Sequence, residues 1–227
     1  MKRLLNYFST VELCLWGFSV LAILISFFCF EQTGYLSLGG SLVGITSLIL
    51  CAKGHPLGMA LGIVFSIIYS IISYSFSYYG EMITYLGMST PIAIFSIFTW
   101  LRHPYKDSDE VEVHKMTRRE CFLMWGLAAI VTTAFYFILK ALGNANLPVS
   151  TVSVTTSFVA AYLAMMRNPF YAVAYTANDI VLIVLWVAAT LKDISYFPMV
   201  VCFVIFILYD LYGFYNWRTM QKRQRQS

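Results

Sequence analysis

Eight apolar runs, each long enough to cross a lipid bilayer as a helix, dominate the 227-residue sequence. A run of about 20 apolar residues matches the hydrocarbon core of a membrane, and a helix satisfies its own backbone hydrogen bonds there. Hydrophobic residues make up 59% of the chain and charged residues only 11%, which excludes a soluble globular domain. The sequence therefore predicts an all-α integral membrane protein with eight transmembrane helices. The runs cover residues 11–30, 36–52, 56–78, 82–100, 121–141, 150–166, 169–191 and 194–217.

Lysine and arginine residues predict how the chain is oriented in the membrane. There are 15 of them, and the segments between the runs alternate between the two sides of the bilayer. If the N-terminus is cytoplasmic, only Lys140 and Lys192 lie outside, and all the others lie inside. Basic residues concentrate in cytoplasmic loops, so we expect both termini in the cytoplasm. The first run is too long and too aromatic for a cleaved signal peptide, and we interpret it as a retained span.

The remaining composition argues against several other classes of protein. The net charge is +4, but the basic residues lie in short stretches between apolar runs, so nucleic-acid binding is not predicted. The five cysteines include no Cys-x-x-Cys pair, and the three histidines are scattered. The sequence therefore predicts no metal site, no redox site and no cofactor.

Residues 36–101 and 150–218 share a plan that predicts an internal repeat. Each contains a run that ends in a base and a proline, a run that ends at a turn with one acid, and a run that ends in tryptophan before an arginine. The matching residues are Pro56 and Pro169, Glu81 and Asp193, and Trp100 and Trp217. A single span between the two units returns the chain to its starting side, so the two units are predicted to be parallel.

The predicted division of the chain follows from this repeat. The segments are an extra N-terminal helix (1–35), the first three-helix repeat (36–101), a cytoplasmic loop with a linker helix (102–149), the second three-helix repeat (150–218) and a cytoplasmic tail (219–227).

Acidic residues inside the spans are the sharpest sign of function. A charge at the bilayer centre costs roughly 2.5–3.5 kcal/mol on insertion scales, so such a residue usually faces a cavity or a partner. Asp179 lies near the middle of the seventh span, and Asp210 lies in the eighth. Aromatic residues recur at helical spacing around Asp179. Hydrogen bonds between packed helices are the alternative interpretation. We predict a substrate-binding site formed by Asn178, Asp179, Trp186, Tyr175, Tyr171 and Asp210.

A serine stripe and a proline each have two interpretations, and a glycine pair has one. A stripe of serines on the third span either packs helices or lines a polar path; its members are Ser66, Ser70, Ser73 and Ser77. Gly58 and Gly62 fit close helix packing of the GxxxG type. Pro91 is expected to distort the fourth span, and the distortion is either a hinge or merely a bend.

Two segments near the C-terminus resemble the PnuC family of nicotinamide riboside transporters. They are residues 166–186 (MRNPFYAVAYTANDIVLIVLW) and residues 210–217 (DLYGFYNW), which resemble that family's Asn-x-Tyr-Gly-x-x-x-Trp pattern. The resemblance implies a SWEET-like bundle in a bacterial inner membrane, assembled as a homotrimer. It also implies facilitated diffusion of nicotinamide riboside, which a cytoplasmic kinase then traps by phosphorylation.

The resemblance also bears on individual residues. Asn178 falls on the family's binding-site asparagine. The family has tryptophans one and two turns before this asparagine, where this chain has Tyr171 and Ala174. Asp210 replaces an asparagine of the pattern.

Several alternatives remain open from the sequence. Related carriers move thiamine, riboflavin or deoxynucleosides. Nicotinamide riboside and thiamine are both flat cations, which suit acids and aromatic faces, so this argument disfavours only riboflavin. An intramembrane aspartyl protease would also need two acids in the membrane. Tyr209-Asp210 matches one half of that enzyme's pattern, but the other half, Gly-x-Gly-Asp, is absent. Proton-coupled transport is a further alternative, and a purely structural or sensory role is disfavoured by the midplane acid.

Overall fold

The computed structural model describes residues 7–30, 34–75, 78–106, 108–144 and 146–226. Within these ranges, eight helices are long and apolar enough to cross a membrane, which confirms the predicted all-α architecture. In chain order they are α1 (Thr10–Phe30), α2 (Tyr35–Ala52), α3 (Pro56–Ser75), α4 (Tyr79–Arg102), α5 (Arg118–Ala141), α6 (Leu147–Met165), α7 (Tyr171–Thr190) and α8 (Phe197–Gln226).

Local sequence explains where several helices begin. Pro56 opens α3, where its missing N–H costs no hydrogen bond. Thr117 caps α5, because its hydroxyl accepts from the Glu120 amide while the Glu120 carboxylate accepts from the Thr117 amide. Pro169 was expected to open α7 in the same way. It lies instead two residues before the helix, in a turn where the Asn168 side chain accepts a backbone hydrogen bond of 3.0 Å.

Six of the helices pack as a closed ring. Around the ring, α2 contacts α3, α3 contacts α4, α4 contacts α6, α6 contacts α7, α7 contacts α8, and α8 contacts α2. The other two helices pack on the outside, α1 against α2 and α8, and α5 against α6. We call the end of the ring where α2, α4, α6 and α8 finish the loop end, since it carries loop 103–117. The opposite end is called the distal end.

The outer helix α1 is fastened to the ring by a buried ionic contact. Glu12 of α1 is only 3% exposed and accepts hydrogen bonds from Lys53, at 3.1 Å, and from the Tyr212 hydroxyl, at 2.7 Å. A buried carboxylate needs such partners to offset its desolvation. Glu12 therefore sets the position of α1 against the ends of α2 and α8.

The two predicted three-helix units meet in a reciprocal way. The third helix of each unit packs against the first helix of the other, α4 on α6 and α8 on α2. At the loop end, the Trp100 indole donates to the Ala164 carbonyl (2.9 Å) and the Trp217 indole donates to the Cys51 carbonyl (2.8 Å). These contacts are what a twofold relation between parallel units would require, and the repeat itself stays a prediction.

Helix α4 carries the distortion expected from Pro91. Residues Thr84–Ser89 form a π-helical turn immediately before the proline. Proline lacks the amide that would bond to Gly87, four residues earlier, and π-turns accommodate such interruptions. The distortion faces the middle of the ring, because Tyr85 and Ser89 line the central cavity described below.

The glycine motif of α3 mediates helix packing, whereas Ser66 of the serine stripe lines the central cavity. A Cβ on Gly58 would lie 2.5 Å from the Cys51 backbone nitrogen, so α2 and α3 approach closely there. The Gly58 carbonyl also accepts from the Ser47 hydroxyl (2.8 Å). Within the serine stripe, Ser70 bonds to the carbonyl of Ser66 (2.7 Å). The predicted stripe member Ser77 lies outside the described residues.

The C-terminal segment differs from the predicted separate tail. Helix α8 continues through residues 219–226. It is held there by loop 103–117, since the Gln224 side chain bonds to the backbone of Val111 and Val113 and Arg223 pairs with Glu110. The polar composition of this segment is satisfied by the loop, so the helix does not end where the apolar run ends.

Candidate functional site

A cavity of about 100 Å³ lies at the centre of the ring. Every one of the six ring helices contributes to its wall. One lining residue from each, taken in chain order, is Ser47, Ser66, Tyr85, Ser157, Tyr175 and Asp210. A site with this enclosure is a typical position for a small ligand between membrane helices.

Helices α7 and α8 provide the acidic wall of the cavity. Asp179 and Asp210 are buried, and both carboxyl-bearing side chains line the cavity. Oδ2 of Asp210 is buried without a hydrogen-bond partner. The cavity therefore offers acceptor oxygen that no described residue satisfies.

Aromatic rings flank the two acids. Tyr171 and Tyr175 of α7 line the cavity on the loop-end side, with ring centroids 6.1 Å apart. Phe65 and Tyr85 of the first unit line it on the distal side, 6.3 Å apart. Phe206 also reaches the wall, because Gly44 of α2 leaves room for its ring. Flat faces of this kind hold planar or cationic groups.

Asn178 faces the hydroxyl groups of α6. Its Oδ1 accepts from Thr156 and Ser157, both at 2.8 Å, and Ser157 lines the cavity. The Asn178 amide nitrogen is buried and has no hydrogen-bond partner. The asparagine is thus oriented by its oxygen, and its two N–H donors are left for another group.

Glu81 is a buried acid that the sequence did not single out as a site residue. It was interpreted as part of an outside turn, yet it is 1% exposed, in the first turns of α4. Its Oε2 accepts from the Ser153 hydroxyl (3.2 Å), which also lies 3.5 Å from Oδ1 of Asn178. Its Oε1 is buried without a partner. The sequence signal that could have identified Glu81 is its position directly before the fourth apolar run, where an acid falls in the first turn of the helix.

The counterpart in the second unit does form an exposed turn. Asp193 is exposed, and its carboxylate accepts from the Ser195 amide (2.9 Å) at the 3-10 turn before α8. The hydrogen bonds from Ser195 hold the pKa of Asp193 below its usual value. An acid at an exposed turn was predicted for each unit, and the structure confirms such a turn only at Asp193.

The distal side of the cavity is filled by an aromatic plug, which consists of Tyr69, Tyr78, Trp186 and Phe203. The Trp186 indole donates to the Tyr69 hydroxyl (2.8 Å), and the Tyr78 hydroxyl donates to a backbone carbonyl of α7 (3.3 Å). The Tyr69 ring touches Tyr85, with centroids 4.5 Å apart. Trp186 itself does not line the cavity; it lies one layer of side chains further toward the distal end.

Two tryptophans lie beyond the cavity toward the loop end, where Trp217 packs against the cavity-lining Tyr171. The Trp100 and Trp217 rings lie 5.3 Å apart, and both are almost fully buried. The Tyr171 hydroxyl and the Trp217 indole share the Cys51 carbonyl as acceptor, at 3.2 and 2.8 Å. Beside them, burial lowers the pKa of Arg167 from its ordinary value. Aromatic layers thus bound the cavity on both sides.

The structure brings four of the six predicted site residues to one cavity: Tyr171, Tyr175, Asp179 and Asp210. Asn178 lies beside it in the α6 hydroxyl network, and Trp186 lies in the aromatic plug. Their role in binding a substrate stays a prediction. Phe65 and Tyr85 gave no sequence signal, since aromatic residues are common throughout the spans.

Comparison with known proteins decides the family. Residues 34–219 match the model of the nicotinamide mononucleotide transporter family. The chain belongs to this family. The nicotinamide riboside transporter PnuC of Neisseria mucosa is 25% identical over 213 residues, which cover 92% of this chain and 81% of that protein. A crystal structure of the vitamin B3 transporter PnuC has the same fold, with a TM-score of 0.84, 23% identity and coverage of 96% of this chain and 94% of that one.

Membership of the nicotinamide mononucleotide transporter family makes the chain a multi-pass membrane transporter and not an enzyme. The intramembrane protease alternative is therefore wrong, and the resemblance to the PnuC family is confirmed. The family match begins at residue 34, so it contains the ring and α5 but omits α1. The ring that encloses the cavity is the part of the molecule that the family shares.

Proposed function

We propose that this transporter carries nicotinamide riboside into the cell by facilitated diffusion. The observation that carries the proposal is the presence of Asp179 and Asp210 in the wall of one cavity, together with aromatic rings. Relatives named as nicotinamide riboside and vitamin B3 transporters support the choice of cargo.

The charge of the cargo explains why two acids stand in the membrane. The pyridinium ring of nicotinamide riboside carries a fixed positive charge that does not depend on pH. Asp179 and Asp210 supply compensating charge when they are ionised, and Tyr175 and Tyr85 supply ring faces for cation–π contact. In a low-dielectric interior such an attraction is far stronger than it is in water.

The wall of the cavity favours the riboside over the mononucleotide. Nicotinamide mononucleotide adds a phosphate group, which proteins bind with arginine, lysine or helix N-termini. None of the described residues that line the cavity is basic. A phosphate would instead meet the carboxyl groups of Asp179 and Asp210, so the unphosphorylated riboside fits the electrostatics better.

The buried polar atoms behind the cavity suit the ribose. The N–H donors of Asn178 and Oε1 of Glu81 have no partners, and the Ser153 hydroxyl lies between these two side chains. A sugar hydroxyl both donates and accepts, so one ribose diol would satisfy both groups. Binding would remove the cost of leaving them unpaired.

Transport requires the ring to open on each side in turn. The cavity of about 100 Å³ is smaller than the 300–1,000 Å³ typical of ligand pockets, so helices must separate to admit the cargo. We propose that the two three-helix units rock about the cavity, with the aromatic plug gating the distal side and Trp100 and Trp217 gating the loop end. The π-turn before Pro91 gives α4 a point at which to bend.

The setting of the transporter completes the proposal. We propose a bacterial plasma membrane, a homotrimer with one path in each subunit, and a cytoplasmic kinase that traps the riboside by phosphorylation. The loop end would face the cytoplasm with both termini, because Lys53, Arg167, loop 103–117 and the basic end of α8 all lie at this end of the ring.

Transport in proteoliposomes tests the function. Purified protein should take up labelled nicotinamide riboside to equilibrium with no imposed gradient of protons or sodium, and an uncoupler should not change the rate. Unlabelled nicotinamide riboside should compete, whereas nicotinamide mononucleotide and a neutral deoxynucleoside should not. Accumulation above equilibrium, or stronger competition by the mononucleotide, would contradict the proposal.

Thiamine is the second candidate, because its thiazolium ring is also a flat cation that the two acids would accept. Calorimetric titration of the protein with nicotinamide riboside and with thiamine separates the two cargoes. The partnerless atoms of Asn178 and Glu81 favour the riboside, since thiamine has no ribose diol.

A further inference from the structure

A second and larger cavity lies outside the ring, at the loop end. It has a volume of about 610 Å³ and lies between α5, α6, α7 and the end of α8. We call it the lateral groove and define it by the rim residues Lys115, Arg218 and Arg225 and the wall residues Trp125, Val159 and Val173. It is separate from the central cavity and takes no part in the transport path proposed above.

We propose that the lateral groove binds an anionic phospholipid of the loop-end leaflet. The acyl chain would lie along the apolar wall, and the phosphate would meet the three basic residues at the rim. None of the described residues that line the groove is acidic. This inference does not depend on the cargo of the transporter.

The rim has the charge and the position that a lipid phosphate needs. Arg218 donates one N–H to the side-chain oxygen of Gln221 (3.0 Å). Its guanidinium lies 5.8 Å from the centroid of the Phe170 ring, so its other N–H donors are available to a phosphate. Lys115 and Arg225 lie at the same mouth and are exposed. Of the acids within five residues of Lys115, Glu120 is turned toward Thr117 and His114. The others, Glu110 and Glu112, are not among the residues that line the groove.

The depth of the groove matches one leaflet. It reaches Thr155, which lies ten residues from the end of α6 at Met165, or about 15 Å along a helix. Half of a hydrocarbon core of about 30 Å has this length. A hydrogen bond of 2.8 Å between Thr132 and Thr155 joins α5 to α6 at that depth and closes the inner end of the groove.

The charge complementarity selects the occupant. Basic pockets between membrane helices on the cytoplasmic side recognise anionic head groups, and each nearby lysine or arginine strengthens binding to an anionic surface about fivefold. A zwitterionic lipid would meet the same apolar wall but would gain little from the rim. The groove is therefore expected to distinguish lipids by head group and not by chain.

Trp125 gives a direct reporter, because it lines the groove and is 57% exposed. The full-length protein is reconstituted in phosphatidylcholine vesicles, and brominated phosphatidylglycerol or brominated phosphatidylcholine is added as an acyl-chain quencher. The Trp125→Phe variant supplies the fluorescence of the other tryptophans for subtraction. We expect quenching of Trp125 at a several-fold lower mole fraction of the phosphatidylglycerol.

Matched variants test the rim. Lys115→Gln and Arg225→Gln should each raise the fraction of phosphatidylglycerol needed for half-quenching about fivefold. Lys140→Gln, at the distal end of the same helix α5, should leave it unchanged. Transport by each variant verifies folding.

Three outcomes would overturn the proposal. They are equal quenching by the two brominated lipids, quenching that is insensitive to Lys115→Gln and Arg225→Gln, and displacement of phosphatidylglycerol by inorganic phosphate. A Trp125 that neither lipid quenches would mean that another subunit covers the groove, which also rejects a lipid site.

Discussion

The two predicted three-helix units have matching features at the loop end but differ in the chemistry of their cavity walls. At the loop end, Gly54 and Arg167 both adopt a positive φ, 69° and 54°, two residues before the matching prolines. Trp100 and Trp217 each donate to the first helix of the other unit. The acids of the cavity wall, however, both belong to the second unit.

The middle helices make the contrast clear. When α3 and α7 are matched through Pro56 and Pro169, Asp179 corresponds to Ser66. Both residues line the cavity, yet only the second unit places a carboxyl group there. The difference teaches that features common to the two predicted units build the enclosure, whereas a position at which they differ supplies a carboxyl group of the cavity wall.

The largest expected effect comes from removing charge on the second unit. Asp179→Asn preserves the size of the side chain but cannot become anionic, so the affinity for nicotinamide riboside should fall roughly 10- to 150-fold, from the loss of about 1.5–3 kcal/mol. Ser66→Ala, at the matching position of the first unit, should change the affinity less than about threefold. Calorimetric titration of both variants measures this, and equal losses would remove the asymmetry.

Substitutions of the two acids predicted at turns, Glu81 and Asp193, should differ in their effect on uptake of the riboside. Glu81→Gln alters a buried group beside Ser153 and Asn178 and should lower uptake of the riboside about tenfold, the loss expected for one buried polar contact. Asp193→Asn alters an exposed turn and should leave uptake unchanged. Initial rates in proteoliposomes compare the two, and a larger loss in Asp193→Asn would contradict the assignment of Glu81 to the site.

The two tryptophans, Trp100 and Trp217, test how much each indole hydrogen bond at the loop end contributes to stability. Trp100→Phe should lower the stability of the fold by about 1 kcal/mol through one lost hydrogen bond. Trp217→Phe should cost less, because the Tyr171 hydroxyl still donates to the Cys51 carbonyl. Thermal inactivation followed by size-exclusion chromatography ranks the variants, with Trp125→Phe on exposed α5 as the control. The reverse order would show that the Tyr171 bond does not compensate.

The smallest effects should have opposite signs at the two positive-φ residues. Gly54→Ala forces a side chain into the left-handed region and places its Cβ 2.9 Å from Met220, so stability should fall by about 1 kcal/mol. Arg167→Gly relieves the same backbone conformation and should gain about 0.5 kcal/mol. The same thermal assay detects both, and a loss in Arg167→Gly would mean that its partly buried side chain stabilises the turn.

Individual residues mark how far sequence reasoning reached. Asp179 and Asp210 were predicted to face a cavity because charge is expensive in lipid, and both do so. Trp186 lies on the same face of α7 as Asp179 but does not line the cavity. Helical spacing predicts which face of a helix a residue occupies, and it does not predict how far along the helix the cavity extends. Glu81 was mistaken for a turn residue, since nothing local distinguishes an acid that caps a turn from one that enters the bundle.

The sequence by itself determined the eight spans and the acids that lipid would not tolerate. These follow from hydropathy and solvation, which depend on each segment alone. Only the tertiary structure decided that six helices close into a ring, that Asn178 turns its oxygen toward α6, and that Glu81 is buried. These depend on contacts between residues far apart in the chain, and such contacts leave no periodic trace in the sequence.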